Sequence, residues 1–474
     1  MSSNSGVIVN RANETSPFFA AIKSRNSKSL PELYSSEVNT EAAAQSRVEV
    51  ESSSAVGYSR TMRISLPRYG VLNQVYLHSR FGGSTTSGTA ANTTGVNSIP
   101  FIGAFAFREV RLVYNGSVLE KFSPFSIISD LWKHADENER HHLVEMLGGL
   151  EHDASGALGF SHTANKSLMK NSQRCLNTTA SGTTPYKGVQ DFYLPLQFWF
   201  DAIHSPNRGL DLSVLANEVI LEVDVEASSN IWLKIVNSGS ETATIPEITN
   251  VSAVCYLTEF DQETEKMYRS LTYQPGAAPV TQIGYQSEHV VVANNVSRAT
   301  AIDIKLNQFV GQVYKLVVYA VLTDAYTTNK NRFRPVSLSE IQLRAVGTNI
   351  FNQDNLTDKE AILESYRGKS KFKILGTVKT GNANEYTICN PGHIYELNLK
   401  KPMDLSKVSA SGSMALGQLS VPSLRVVVEQ VADYGSEANI AGGNVDVHVV
   451  AYSTALYSYA TNTSGSTNIR VITN

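Results

Sequence analysis

The stretch Arg108-Glu109-Val110-Arg111-Leu112-Val113-Tyr114-Asn115-Gly116-Ser117-Val118-Leu119 constrains the fold more than any other part of the chain. Its alternation places Val110, Leu112 and Tyr114 on one face of an extended strand, where a helix would scatter them. Asn115-Gly116 supplies two residues that tolerate positive φ, as a two-residue hairpin turn requires. The segment therefore predicts an antiparallel hairpin. A second alternating segment, residues 218–226, directs Val219, Leu221, Val223 and Val225 inward and Glu222, Asp224 and Glu226 outward. Further strands are predicted over residues 193–200, 314–322, 424–428 and 445–452, in both halves of the chain.

A chain of 474 residues has room for two all-β units, each of the ~200–250 residues such units often reach. Units of that size bury enough surface to hold a core without a disulfide or metal staple. Only three cysteines occur, Cys175, Cys255 and Cys389, with no C-x-x-C pair, the pattern of a reducing compartment and idle thiols. Charged residues make up 18% and the net charge is −3. That balance excludes a basic nucleic-acid-coating protein. No apolar run reaches the ~18–20 residues of a membrane span. The start, Met1-Ser2-Ser3-Asn4-Ser5-Gly6, lacks a secretory signal pattern, so synthesis in the cytosol is expected.

Residues 1–52 show no strand alternation and are expected to form an N-terminal arm. Within it, Ser16-Pro17 caps a short helical pattern that brings Phe18, Phe19 and Ile22 onto one apolar face. The arm carries five basic and six acidic residues, so it is poorly suited to bind a genome. Short helices are also predicted from Ser123-Pro124 to Trp132, from Asp136 to Gly149 and from Thr357 to Gly368. Residues 82–95 and 178–184, rich in Gly and Thr, read as loops. An internal echo relates Leu212-x-x-Leu215 and Val219-x-Leu221-x-Val223 to Leu416-x-x-Leu419 and Leu424-x-Val426-x-Val428, with the spacing changed by one residue. It suggests two β-sandwiches in series, with a boundary near residues 260–263.

Catalytic constellations are sought and not found. Gly368-Lys369-Ser370 imitates the end of a phosphate loop, but Leu363 stands where that loop needs glycine. His134, His141, His142 and His152 cluster in sequence with Glu139, Glu145 and Glu151, and His141 and Glu145 share a helix face. No third metal ligand stands at a known spacing, and a polar helix surface or subunit contact explains the group equally well. Asp201, His204 and Ser205 lie too close together for a hydrolase triad. Glu222 and Glu226 are expected to be the wet side of a sheet, not a glycosidase pair. Nine N-x-S/T sequons are not far above chance for a chain so rich in Asn, Ser and Thr, and no modification is expected. The reading contains no enzyme, cofactor or metal.

Three stretches resemble the major capsid proteins of the double jelly-roll lineage, found in large eukaryotic DNA viruses, virophages and tailless membrane-containing bacteriophages. They are residues 68–77 with 107–116 and 130–133, residues 193–200 with 210–225, and residues 411–419 with 424–428 and 444–452. Residues 201–208 lengthen the turn after Phe200 relative to the large eukaryotic viruses. The resemblance implies an all-β chain of two tandem jelly-roll sandwiches with short helical insertions. Its parts would be an arm over residues 1–52, a first jelly roll over 53–260 and a second over 261–474.

It further implies a homotrimeric, pseudo-hexagonal capsomer in a virion capsid, made in the host cytoplasm. Expected partners are neighbouring capsomers, minor capsid, cement or penton proteins, and an inner membrane surface, without sequence-specific nucleic-acid binding. Phe18, Phe19 and Ile22 are the expected assembly anchors of the arm. The competing reading is a jelly-roll carbohydrate-binding or host-attachment protein of a virion, which favours clustered aromatics in a groove. Here Trp132, Trp199 and Trp232 are scattered in sequence.

Overall fold

The computed structural model describes residues 43–82, 86–87, 95–98, 101–124, 142–143, 146–148, 160–161, 190–201, 209–235, 242–260, 262, 265–266, 280–297, 299–309, 311–323, 335–336, 338–345, 348–354, 385–386, 395–399, 414–419, 421–428, 444–463 and 467–472. Among the described residues nine strands build the two main sheets of the first half. They are β1 (Ala43–Glu51), β2 (Thr61–Ser65), β3 (Val71–Phe81), β4 (Phe107–Tyr114), β5 (Ser117–Phe122), β6 (Gln190–Leu196), β7 (Leu210–Asp211), β8 (Val219–Val225) and β9 (Ile248–Phe260). One sheet runs β1-β9-β3-β7, with β6 also paired to β3; the other runs β2-β8-β4-β5. Every pairing among these strands is antiparallel.

The second half repeats this plan. Its strands are β10 (Val280–Val296), β11 (Ala301–Lys305), β12 (Gln312–Leu322), β13 (Leu338–Ala345), β14 (Thr348–Asp354), β15 (Tyr395–Asn398), β16 (Met414–Ala415), β17 (Ser423–Val428) and β18 (Val445–Thr461). The sheets run β10-β18-β12, with β15 and β16 paired to β12, and β11-β17-β13-β14. Each of the nine strands in the two main sheets of the first half therefore has a counterpart nine places later in the same position. Both units have the strand order of a jelly roll. A final strand, β19 (Thr467–Ile472), pairs with the far end of β18 and has no counterpart among the described residues of the first half.

Alternation explains each core. In β8, Val219, Leu221, Val223 and Val225 are buried, and they form one cluster with Leu72, Val75, Leu77 and Phe81 of β3. In the second unit Leu424, Val426 and Val428 of β17 pack with Val445, Val447 and Val449 of β18. Full burial of each such side chain contributes roughly 1.5–3 kcal/mol. The β4–β5 hairpin turns as its sequence requires: Tyr114 faces Ser117, and Asn115 and Gly116 take φ of 49° and 76°.

Several expectations change. Residues 43–51 of the expected arm form β1, which pairs with β9 over its whole length. Its alternation of Val48 and Val50 with Arg47, Glu49 and Glu51 was obscured by the polar residues before it. Glu226 is buried, not outward, because the sheet register shifts between Asp224 and Val225 and the period ends there. The strand expected over residues 193–200 is displaced to Gln190–Leu196, and Phe198, Trp199 and Phe200 are buried in the turn beyond it. Within residues 82–95, Thr86–Ser87 pairs with Thr242–Ala243, while Gly95–Ser98 pairs with Trp232–Ile235. The helices from Ser123 and from Asp136 are described only in part, with residues 124, 142–143 and 146–147 helical. The helix expected from Thr357 and the loop at 178–184 lie outside the described residues.

The strand part of the echo between the halves shifts by two residues. Strand pairing sets Ile64 opposite Leu221 and Ile304 opposite Leu424, so Leu221, not Val219, is the counterpart of Leu424.

The hairpin turn yields a direct test. A Cβ on Gly116 meets nothing within 4 Å, so the demand there is conformational alone. Gly116→Val should lower the free energy of unfolding by roughly 1–3 kcal/mol, and Gly116→Asn by much less, measured from denaturant midpoints.

Candidate functional site: the seam between the barrels and the root of the arm

The core of the first unit is completed by the second. Ala455, Tyr457 and Tyr459 of β18 and Ile469 of β19 belong to the same apolar cluster as the first-unit strands. The turn after β6 delivers Trp199 to this seam, with Asp201 N–H donating to Phe198 O at 2.9 Å and Gly209 N–H to Phe200 O at 3.2 Å. The indole stacks on the Tyr457 ring with centroids 3.8 Å apart and planes 8° from parallel. Gly209 sits at φ +85°, where a Cβ would lie 2.2 Å from Val71 Cγ1, so this close return of the chain admits only glycine.

The polar atoms carried into this contact are paired. Trp199 Nε1–H donates to Gln282 Oε1 at 3.0 Å, and the Tyr459 hydroxyl donates to the same oxygen at 2.9 Å. Gln282 Nε2 donates to Gly209 O at 3.3 Å. One amide on β10 thus serves the indole, the phenol and the returning backbone. Beside it, the Trp199 N–H donates to Glu120 Oε2 at 2.9 Å, and the Tyr457 hydroxyl lies 3.5 Å from that oxygen. Burial holds the Glu120 carboxyl well above the usual carboxylate range, and these two hydrogen bonds counter it only in part. A neutral acid is the form that such a site tolerates.

A second contact lies along β19. Leu215 forms a parallel bridge with Thr467, and Ala216 N–H donates to Thr467 O at 2.9 Å. The Tyr114 hydroxyl reaches Asn468 Oδ1 at 3.1 Å and Thr467 O at 3.3 Å. Stacking, apolar burial and backbone pairing together make the two barrels one block.

The other polar cluster ties β1 to its sheet. His78 on β3 places Nδ1 2.6 Å from Glu49 Oε1 of β1 and 3.2 Å from Ser252 Oγ of β9. Its Nε2 lies 2.9 Å from Asp191 Oδ1 of β6, which also accepts from Arg80 Nε at 2.7 Å. The ring stacks on Tyr193 at 4.5 Å and 8°. The Ser252 hydroxyl first, then His78 and Arg47, hold the Glu49 carboxyl low despite partial burial. At Asp191 burial pushes upward, but Arg80 and His78 prevail and the carboxyl is also lowered. The carboxylate side of this tie is therefore complete at neutral pH and is lost as pH falls through those lowered values.

The residues singled out by sequence fall elsewhere. Phe18, Phe19 and Ile22 lie outside the described residues, as do His141, Glu145, His204 and Ser205. Glu222 is paired with Arg63 at 2.9 Å and Arg111 at 3.4 Å, while Glu226 accepts from Ala227 N–H and Asn230 Nδ2. The two acids do not converge on a shared opening. Among the described residues no group of three or more His, Cys, Asp or Glu could hold a metal ion, and no helix is long and apolar enough to cross a membrane. Burial pushes the Cys255 thiol up to about 12, which leaves it inert at neutral pH. Sequence reasoning missed Glu120, Gln282 and Tyr457. The one local signal was Glu120 itself, which lies in phase with Phe122 on the inward face of β5.

The profile of the family described as "Major capsid protein N-terminus" matches residues 37–269. Comparison with curated protein sequences finds no match. Among solved structures, the PBCV-1 VP54 structure fitted into the virophage Sputnik reconstruction is 14% identical, with a TM-score of 0.61 over 93% of this chain and 98% of that one. The Faustovirus major capsid protein is 11% identical, with a TM-score of 0.56 over 96% and 98%. The mavirus major capsid protein is 11% identical, with a TM-score of 0.54 over 93% and 92%. These likenesses establish that the fold is shared along nearly the whole chain.

Glu120 makes the seam sensitive to pH. In the unfolded chain its carboxyl ionises near ~4.3, whereas the folded chain keeps the proton to higher pH, so its contribution to stability falls as pH rises. Glu120→Gln removes the titration and keeps the shape. Denaturant midpoints should show the variant gaining on the wild type as pH rises from about 5 to 8; parallel profiles would mean that Glu120 is ionised in the fold.

Proposed function

We propose that this chain, which belongs to the major capsid proteins of the double jelly-roll family, builds a virus shell as a homotrimeric, pseudo-hexagonal capsomer. The observation that carries the trimer is the strand-for-strand repeat: two barrels of identical strand order are fixed as one block by the Trp199–Tyr457 seam. Three such blocks around an axis present six similar barrels, the shape that tiles a hexagonal lattice. The chain's role is structural, not catalytic.

In this reading the barrels comprise residues 53–260 and 261–474, with β1 transferred from the arm to the first barrel. Subunits of a shell must pack side by side, and a net charge of −3 on 474 residues leaves little long-range repulsion to overcome. Contacts within a trimer should be large and apolar enough to be obligate, on the order of 2,000 Å² or more, while contacts between trimers can be smaller because the lattice multiplies them. Shell proteins of this kind act in the virion capsid after synthesis in the host cytoplasm.

The arm has a separate task. Phe18, Phe19 and Ile22 would anchor it under a neighbouring capsomer, a minor capsid, cement or penton protein, or an inner membrane surface. Its charges nearly cancel, so apolar contact rather than attraction to nucleic acid supplies its affinity. The Glu49–His78–Asp191 tie near the start of the described residues gives such an arm a fixed root against which to pull.

Two experiments test this reading. Light scattering of the purified protein should give about 155 kDa, three times the 51.7 kDa of one chain, with six-sided particles in negative stain; a monomer at all concentrations would refute the capsomer. Deleting residues 1–30 should leave the trimer mass unchanged and impair assembly of shells, and undisturbed assembly would remove the arm from the mechanism.

A further inference from the structure

The two barrels differ where their sequence echo breaks. In the first barrel residues 212–218 join β7 to β8, and this loop is held against β19 through the Leu215–Thr467 bridge and the Ala216 N–H. In the second barrel residues 416–421 span the same gap from β16 to Pro422, which occupies the place of Val219. The equivalence is set by hydrogen bonds: Leu66 N–H donates to Val219 O at 2.9 Å, and Leu306 N–H donates to Pro422 O at 3.0 Å. The second loop is therefore one residue shorter.

The shortening falls on Val421. Its φ is +48°, a conformation that a β-branched residue avoids, and its successor is a proline, which restricts it further. Its side chain is 76% exposed, the most exposed large hydrophobic residue described. Folding gains nothing from this arrangement, since glycine or asparagine would adopt the same backbone with less strain and without an apolar group in water. Strain combined with apolar exposure points to a contact made outside the chain.

We propose that Val421 is an apolar contact residue through which the second barrel docks on a second copy of this chain. The occupant follows from the repeat. The first barrel's loop is met by a strand of the second half, β19, and that strand is already committed there. In the corresponding loop of the second barrel Gly417, Gln418 and Val421 are exposed, so the neighbour that matches β19 there is a barrel of another subunit. This inference rests on the shell reading above and deepens it by naming a residue of the subunit interface.

The test compares wild type, Val421→Asp and Val421→Gly in two measurements: self-association of the full chain over a dilution series, through to shells, and thermal unfolding. Val421→Asp should weaken self-association at least tenfold. Val421→Gly should also weaken it while unfolding at a higher temperature, because glycine relieves the backbone; damage to the fold cannot produce that opposition, and this variant decides the matter if Val421→Asp does not fold. A photo-reactive benzoyl-phenylalanine at position 421 should cross-link to a second copy in the assembled form. Wild-type assembly with unaltered variants and no cross-link would overturn the role of Val421 alone. A wild-type chain that stays monomeric under all conditions would overturn the shell reading with it.

Discussion

The stack of Trp199 on Tyr457 turns a tandem repeat into a single object. Two sandwiches on one chain are otherwise free to reorient, since a short linker between independently folded units fixes no geometry. A stack alone would also leave freedom, because the indole N–H and the phenol hydroxyls need acceptors once they are out of water. Gln282 removes it. Its oxygen accepts from Trp199 and Tyr459 and its nitrogen donates to Gly209 O, so any displacement of one barrel against the other breaks several buried hydrogen bonds together. Each group left unpaired would cost about 1–3 kcal/mol. The seam thus resists sliding through its polar atoms and resists separation through its rings.

Glu120 shows why the seam is built from neutral groups. An ionised carboxylate there is opposed by burial, which the hydrogen bonds from Trp199 and Tyr457 counter only in part; the folded environment favours the protonated acid. The acid still accepts from the Trp199 N–H, which otherwise would be orphaned by the turn after β6. Substituting an apolar residue would fill the volume and lose that acceptor. The carboxyl is retained for its oxygen, and its titration is a consequence.

What the sequence disclosed and concealed follows from the range of each interaction. The β4–β5 hairpin and β8 were legible because alternation and a two-residue turn are local, and Val110, Leu112, Val219, Leu221 and Val223 are buried as expected. β1 was hidden because it is an edge strand whose outward residues, Arg47, Glu49 and Glu51, resemble the arm before it. The short pairing of Thr86–Ser87 was hidden because its partner, Thr242–Ala243, is remote and neither segment alternates. The seam could not be read at all: Trp199, Tyr457, Gln282 and Glu120 come from four separate segments, and only the fold brings them together. Phe18, Phe19 and Ile22, the residues favoured by local pattern, lie in the arm beyond the described fold.

The repeat also shows one strand put to two uses. β1 and β10 are counterparts, each the first strand of its barrel; Glu49 on β1 binds within its own sheet, whereas Gln282 on β10 binds across the seam. Glu49 on β1 engages His78 and Ser252, where water still reaches the carboxylate, and there its charge is held without a full desolvation cost. Gln282 on β10 reaches into a sealed core, where the same charge would have to be stripped of water. The environment decides the chemistry: an acid beside an imidazole at the wet edge, a neutral amide among aromatic rings inside. A duplicated barrel can therefore keep one topology while its two first strands diverge, one fastened within its own sheet and one locking the two barrels together.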